Sequence, residues 1–169
     1  YWPTICEHVK INPYQVFFKA LDNSEPVNLS DFKSMYIKIV GPAPENLTVT
    51  PLGTMITLNW DPYTCQNASG FYIYRTTDSS GWVHEYCETG VPGYTGYKRI
   101  ATITGLSQNT YLDDNDGQGL VQGVKYCYMI TAWYPDLAES YASNEACSTL
   151  KKDVPVITNV SIRHTDTNN

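Results

Sequence analysis

Charged residues are scarce in this sequence, and basic residues are the scarcer kind. Asp, Glu, Lys and Arg make up 17% of the 169 residues, and 17 acidic residues against 11 basic ones give a net charge of −6. Soluble domains usually carry about 25% charged residues. Because no Lys/Arg cluster is present, neither a nucleic-acid partner nor an anionic membrane surface is expected. The 14 tyrosines exclude a disordered chain, which lacks the aromatic side chains of a core.

Long apolar runs and helical periodicity are also missing. No stretch approaches the roughly 18 residues of a membrane-spanning helix, so direct membrane insertion is not expected. Short alternating runs are instead separated by clusters of Gly, Pro, Asn and Asp, which is typical of an all-β sandwich or barrel. The predicted strands are Tyr14–Leu21, 34–40, 47–50, 55–60, 71–75, 97–104, 110–112, 124–134 and 140–150.

A proline-rich segment divides the chain. Residues 41–44 read GPAP, which favours an extended hinge and predicts a domain boundary. The strands ahead of it cannot bury a core alone, so residues 1–41 are interpreted as the C-terminal part of a preceding β-sandwich. Residues 42–152 are predicted to form one complete domain. After them, 153–169 are interpreted as a linker with Pro155 and the first strand of a following domain, within a longer protein.

Strand motifs after the hinge resemble those of fibronectin type III domains. A proline-led first strand, PENLTV at 44–49, precedes a second strand that ends in LNWDP at 58–62. Trp60 stands where that family places its core tryptophan. The third strand, FYIYR at 71–75, is similar to the tyrosine-rich form of the family's third strand.

The approach to the sixth strand extends the resemblance. Leu120 and Tyr126 have the spacing of the family's tyrosine corner, in which the phenol bonds to nearby backbone. The resemblance covers residues 42–152 and implies a seven-stranded, immunoglobulin-like β-sandwich flanked by partial β domains. It also implies one core that contains Leu58, Trp60, Tyr72, Tyr74, Tyr126, Tyr128 and Ile130.

The cysteine-bearing motifs resemble a particular subtype of the family. CQNASG, CETGVPG and YCY are similar to segments of very long, multi-domain, secreted surface proteins of gliding bacteria that are associated with gliding motility. This resemblance implies an extracellular or cell-surface location. It also implies that the neighbouring domains of the same chain are the first partners.

Five cysteines, at positions 6, 65, 87, 127 and 147, form no CxxC pair and have no histidine at metal-ligand spacing. Disulfide bonds in an exported protein therefore fit better than a zinc site. The type III resemblance places the last strand beside the sixth, which implies a Cys127–Cys147 bond. Cys65, after the second strand, and Cys87, in the insertion after the third, are expected to form the other bond. The partner of Cys6 is expected to lie outside this chain or not to exist.

A catalytic constellation is not apparent. His8, His84 and His164 lie in three separate segments, and no Ser or Cys in a recognisable nucleophile turn accompanies them. The chain is therefore not expected to be an enzyme, and neither a cofactor nor a metal is expected.

The acidic stretch LDDNDG at 112–117 raises a calcium hypothesis. The EF-hand pattern fails, because Leu112 falls at the first ligand position. A looser calcium turn through Asp113–Asp116 and simple turn closure by Asp and Asn side chains both remain open.

The insertion at 76–96 is longer than in ordinary type III domains and holds three aromatic residues outside the strand pattern: Trp82, Tyr86 and Tyr94. Such side chains can form a contact surface for a glycan or a protein, or can cover the outer face of their own sheet. We expect a non-catalytic, disulfide-stabilised spacer of a long extracellular protein, with this insertion as the candidate adhesion surface. The alternative is an accessory or carbohydrate-binding module of a secreted polysaccharide-degrading enzyme.

Overall fold

The computed structural model describes residues 1–152 except Ser24, Pro26 and Asn28, so the predicted linker and strand at 153–169 lie outside the described residues. The described helices are two 3₁₀ turns, Cys6–His8 and Gly93–Thr95, and neither could cross a membrane. The strands are β1 (Tyr14–Leu21), β2 (Ser30–Ile37), β3 (Thr48–Leu52), β4 (Met55–Asn59), β5 (Gly70–Thr77), β6 (Lys98–Thr104), β7 (Thr110–Asp113), β8 (Lys125–Trp133) and β9 (Ala146–Thr149).

Strands β3 to β9 form two antiparallel sheets. One sheet has the order β3-β4-β7 and the other the order β6-β5-β8-β9. Both sheets contribute side chains to one buried cluster, because each strand directs alternate residues inward. The arrangement is the predicted seven-stranded, immunoglobulin-like sandwich, with its first, second and fifth strands in one sheet and the other four in the second.

The inner core confirms most of the predicted core residues. Leu58, Trp60, Tyr126, Tyr128 and Ile130 lie in the cluster between the sheets. The tyrosine corner is also present, because the Tyr126 hydroxyl accepts a 3.1 Å hydrogen bond from the amide of Val121.

The prediction that Tyr72 and Tyr74 share this core is wrong. Both are buried, but they lie on the outer face of the four-stranded sheet with Cys127 and Met129. Phe71 and its alternate neighbours in β5 point inward instead. Successive residues of a strand face opposite sides, and FYIYR is apolar or aromatic on both, so its pattern does not reveal the inner face.

The last predicted strand, 140–150, is shorter than expected. Ahead of β9, the amides of Ser140 and Ser143 donate to the carbonyls of Ala132 and Ile130 at 2.9 Å each. The two serine hydroxyls accept from the amides of the same β8 residues, at 2.9 and 3.0 Å. A hydroxyl that takes the place of a backbone carbonyl lets the chain follow β8 without a regular ladder.

The chain reaches the sandwich at one end and leaves it at the other. The β4–β5 and β8–β9 connections lie at the same end, here called the N-terminal pole, because Gly70 pairs with Trp133. The proline-rich hinge at 41–44, here called the linker, lies at this pole, where the Tyr63 hydroxyl donates to the Pro42 carbonyl at 2.8 Å. Strand β9 ends at the opposite C-terminal pole, where the Leu150 carbonyl accepts a hydrogen bond from the β7–β8 loop.

Two features precede the linker: an arm, residues 1–13, and a hairpin made of β1 and β2. Strands β1 and β2 pair with each other over eight residues and stand as a separate two-stranded sheet. The arm docks on the N-terminal pole: Val9 enters the inner core, and the Ile11 amide donates to Asp136 at 2.8 Å. The Asn67 side chain also donates to the carbonyl of Cys6 at 2.9 Å.

The arm corrects one predicted disulfide. Cys6 is bonded to Cys65, so the prediction of a Cys65–Cys87 bond is wrong, and so is the expectation that Cys6 lacks a partner here. Cys65 is buried beneath the arm at the N-terminal pole, whereas Cys87 is a free, exposed thiol in the insertion. The Cys127–Cys147 bond is confirmed, because the two residues face each other in the β8–β9 register.

Four buried tyrosines predict a loss of stability at alkaline pH. Burial, assisted by neighbours such as Asp113, raises the pKa of Tyr63, Tyr74, Tyr97 and Tyr128 above the ordinary 10.0. Below about pH 10 the four protonated phenols make their full contribution to the free energy of unfolding. Above it the unfolded chain binds fewer protons, so stability falls by at most about 1.4 kcal/mol per pH unit for each phenol. The urea midpoint should be lower above pH 10 than below it, and this decrease should be smaller in the Tyr128→Phe variant. A midpoint that stays constant would contradict this assignment.

Candidate binding surface

The long insertion lies across the outer face of the four-stranded sheet. Trp82 and Val91 pack against a second buried cluster on that face. The members of this cluster are Tyr72, Tyr74, Tyr97, Cys127, Met129 and Ala142. The insertion therefore covers its own sheet, as one of the two sequence interpretations held, and its remaining surface is what a partner could reach.

Glu145 attaches one end of the insertion. Its carboxylate accepts four hydrogen bonds: from the Ser79 hydroxyl, from the Ser80 amide at 3.1 Å, from the Ser80 hydroxyl at 3.3 Å and from the Tyr97 hydroxyl at 2.6 Å. Partial burial alone would raise the pKa of Glu145, but these donors outweigh burial and lower it. The carboxylate is saturated by the protein itself.

Tyr141 attaches the middle of the insertion. Its ring stacks on His84 with the centroids 4.3 Å apart, and its hydroxyl accepts a 3.0 Å hydrogen bond from the amide of Cys87. The amide of Gly90 donates to the carbonyl of Ser140 at 2.9 Å. Three separate contacts thus hold the loop along its length.

The three predicted contact residues differ in their surroundings. The Trp82 indole donates to the Tyr94 hydroxyl at 3.2 Å, and Tyr94 donates to Glu88 at 2.6 Å. Trp82 is half-buried, Tyr94 is 76% exposed and Tyr86 is 93% exposed. The structure therefore joins Trp82 and Tyr94 and leaves Tyr86 apart, directed to solvent.

A groove of about 450 Å³ lies between the insertion and the strands beneath it. Met129 and Ala142 contribute apolar surface, and Trp82 and His84 contribute aromatic surface. At its polar end, both amide atoms of Asn144 are occupied by the backbone of Leu47, at 3.0 and 2.9 Å. The groove residues outside the insertion were not predicted, because only the fold brings them beneath it.

The acidic stretch provides a structural ion pair. Both carboxylate oxygens of Asp113 accept from one guanidinium nitrogen of Arg75 at 2.9 Å, and the Tyr128 hydroxyl donates to Asp113 at 2.7 Å. The following turn uses positive φ at Asn115 and Asp116. These contacts favour the turn-closure hypothesis for Asp113, whose oxygens already have partners.

The histidines and metal-type side chains have structural contacts. His8 packs with Trp2, at 5.0 Å between ring centroids, and accepts a hydrogen bond from the amide of Ile5. Within the described part of the chain, the one grouping of metal-type ligands is Cys127, Glu145 and Cys147, and its two sulfurs are bonded to each other. His164 lies outside the described residues.

No family model and no curated protein matches this chain. An Fn3-like protein from Clostridium thermocellum is 24% identical, covers 68% of this chain and 99% of its own, and has a TM-score of 0.42. The third fibronectin III domain of the human KIAA0343 protein is 16% identical, covers 72% of this chain and 90% of its own, and has a TM-score of 0.49. Pectate lyase PelI from Erwinia chrysanthemi is 19% identical, with a match that covers 60% of this chain and 27% of the lyase, and has a TM-score of 0.44.

The fold is assigned on the strand order and register described above, and it is fibronectin type III-like.

Glu145→Ala is expected to loosen the insertion without unfolding the sandwich. Losing the four hydrogen bonds that this carboxylate accepts, at a partly exposed site, should cost about 1–2 kcal/mol. Hydrogen exchange at residues 78–97 should become faster, while exchange in β5 and β8 is unchanged. Glu85→Ala, on the exposed side of the insertion, is the matched control. In the unaltered protein the same loosening should appear as the pH falls below 4.5, because the Glu145 pKa is lowered in the fold. Equal exchange in both variants would contradict the role of Glu145.

Proposed function

We propose that this chain is a non-catalytic, disulfide-stabilised spacer module of a long extracellular cell-surface protein. The observation that carries the proposal is the geometry of the two ends: the linker arrives at one pole and β9 ends at the other. The Cys6–Cys65 bond ties the arm to the sandwich, which stiffens that joint. Two disulfides fit an oxidising, extracellular compartment.

The hairpin supports the proposal that residues 1–41 end a preceding β-sandwich. Phe17, Phe32 and Tyr36 lie on one face of β1–β2, because their cross-strand partners place them there, and each is at least 60% exposed. A two-stranded hairpin is marginal by itself. The remaining strands of a preceding domain would cover this face, so neighbouring domains of the same chain are the proposed partners.

Scattering measurements on the parent protein would test the spacer. A segment that spans the preceding domain and this one should keep a single interdomain distance, and Cys6→Ser/Cys65→Ser should broaden that distance. The Cys87→Ser variant, which removes the free thiol, is the control. A distance distribution in the unaltered protein as broad as that of a flexible linker would overturn the spacer proposal.

We also propose that any adhesion occurs through the insertion, where Tyr86 and Tyr94 are exposed and Trp82 lines the groove. A Trp82→Ala/Tyr94→Ala double variant and a Tyr86→Ala variant should keep the fold and lose binding to the cell's natural surface. Unchanged adhesion would contradict the proposed adhesion surface, and the spacer function would then be the only one proposed. Binding to plant or bacterial polysaccharides on a glycan array would favour the alternative, an accessory or carbohydrate-binding module of a secreted polysaccharide-degrading enzyme.

A further inference from the structure

The Cys6–Cys65 bond joins two points on either side of much of the chain. Its cysteines are 59 positions apart in sequence. The hairpin, the linker, β3 and β4 all lie between them. Tension applied ahead of Cys6 therefore passes through the sulfur atoms to Cys65 and does not act along residues 7–64.

The Cys127–Cys147 bond has the same effect near the other end. Its cysteines are 20 positions apart, one in β8 and one in β9. Tension applied after Cys147 passes to Cys127, so residues 128–146 cannot be extended. Within this stretch, residues 128–133 carry load only through their pairing with β5. Between them, the two bonds determine where a pull on the chain enters the fold.

Force then acts on the two central strands of the four-stranded sheet. Cys65 lies just ahead of β5, and Cys127 lies near the start of β8. These strands are antiparallel neighbours, paired over eight residues from Gly70 with Trp133 to Thr77 with Tyr126. Because β5 begins at the N-terminal pole and β8 at the C-terminal pole, opposite pulls slide the strands along each other. All of their hydrogen bonds are loaded together, and none is peeled first.

Without the bonds, the same pull would enter at the sheet edges. The chain ahead of the sandwich leads into β3, which pairs with β4 over five residues. The chain after it continues from β9, which pairs with β8 over four residues. Each of these is an edge strand with a shorter ladder than the β5–β8 pair. The bonds move the load from two short edge ladders to one long central ladder.

We propose that the two disulfides make this module resist extension, by directing tension into shear of β5 against β8 and by preventing residues 7–64 and 128–146 from being extended. The inference rests on the proposed spacer function only for its biological purpose, because the mechanical property belongs to the isolated chain.

Single-molecule force spectroscopy of the chain between inert handle domains would test the proposal. All proteins would carry Cys87→Ser, which prevents exchange with the exposed thiol. Cys6→Ser/Cys65→Ser should lengthen the extension on unfolding by about 200 Å, from 59 positions at 3.3–3.6 Å each. Cys127→Ser/Cys147→Ser should lengthen it by about 70 Å, from 20 positions. The variant that lacks both bonds should unfold at a lower force than the oxidised protein.

Two results would overturn the proposal: extensions that do not change with the cysteine substitutions, or an equal unfolding force with and without the bonds. If a variant fails to fold, the protein with both disulfides intact can be stretched and then treated with reductant. Reduction should release the same two lengths in separate steps, and the absence of these steps would also refute the proposal. Failure of the spacer proposal is distinguishable, because it would appear in the interdomain distances of the parent protein while these lengths and forces remain.

Discussion

Replacing Trp60 with alanine is expected to lower the free energy of unfolding by about 3–5 kcal/mol. The indole follows β4, is 3% exposed and packs edge-on against Phe71, with 5.3 Å between ring centroids. Its removal leaves a cavity between the two sheets, where close packing on both sides limits collapse. Small domains have only about 5–15 kcal/mol of stability, so urea denaturation should detect the loss easily.

Trp60→Phe and Trp2→Ala provide the controls. Trp60→Phe should cost much less than alanine, because the buried indole nitrogen makes no hydrogen bond with the described residues and only part of the volume is lost. Trp2, on the arm, is 42% exposed, and its removal should leave the midpoint of the sandwich nearly unchanged. A Trp60→Ala protein with an unaltered midpoint would show that the described packing of β4 is incorrect.

Asp113→Asn is the second large expected effect, a loss of about 3–5 kcal/mol. Asp113 is 2% exposed and pairs with Arg75, whose side chain is 21% exposed. The amide cannot balance the guanidinium charge, which would remain in the fold without its partner. Tyr128 would also lose the carboxylate that accepts its hydroxyl. The pair joins the end of β7 to β5, so its loss weakens the contact between the two sheets.

A double-mutant cycle separates the lost pair from the unpaired charge. Arg75→Met/Asp113→Leu should be less destabilised than the sum of its two single variants, because replacing both partners leaves no buried charge. Asp116→Asn, in the exposed part of the same turn, is the control and should stay within about 0.5 kcal/mol of the unaltered protein. Additive single effects, or equal losses in Asp113→Asn and Asp116→Asn, would contradict the assigned ion pair.

Features set by short stretches of chain could be predicted from the sequence. The alternation of apolar residues indicated the strands, since a strand has one side chain in two on each face. The spacing of Leu120 and Tyr126 resembles that of type III domains and so predicted the tyrosine corner, which the Val121 contact confirms. The Cys127–Cys147 bond followed from the type III resemblance, which places two particular strands side by side. Each of these depends on local geometry or on the order of strands.

Other features depended on where distant segments meet. Cys6 reaches Cys65 only because the arm docks on the N-terminal pole, and no pattern near either cysteine indicates that docking. No pattern near Glu145 indicates its role, because the donors on Ser79, Ser80 and Tyr97 reach its carboxylate only in the folded sandwich.

The sequence by itself determined the all-β class and the strands, because hydrophobic alternation and turn residues act within a few positions. Its type III resemblance predicted the sandwich and five residues of the inner core. Only the tertiary structure decided that Tyr72 belongs to the outer cluster, that Asp113 binds Arg75 and that the arm is covalently attached. The physical reason is that these outcomes depend on burial and charge pairing between segments tens of residues apart. Residue types show what such groups can bind, and the packing of the sheets selects the partner.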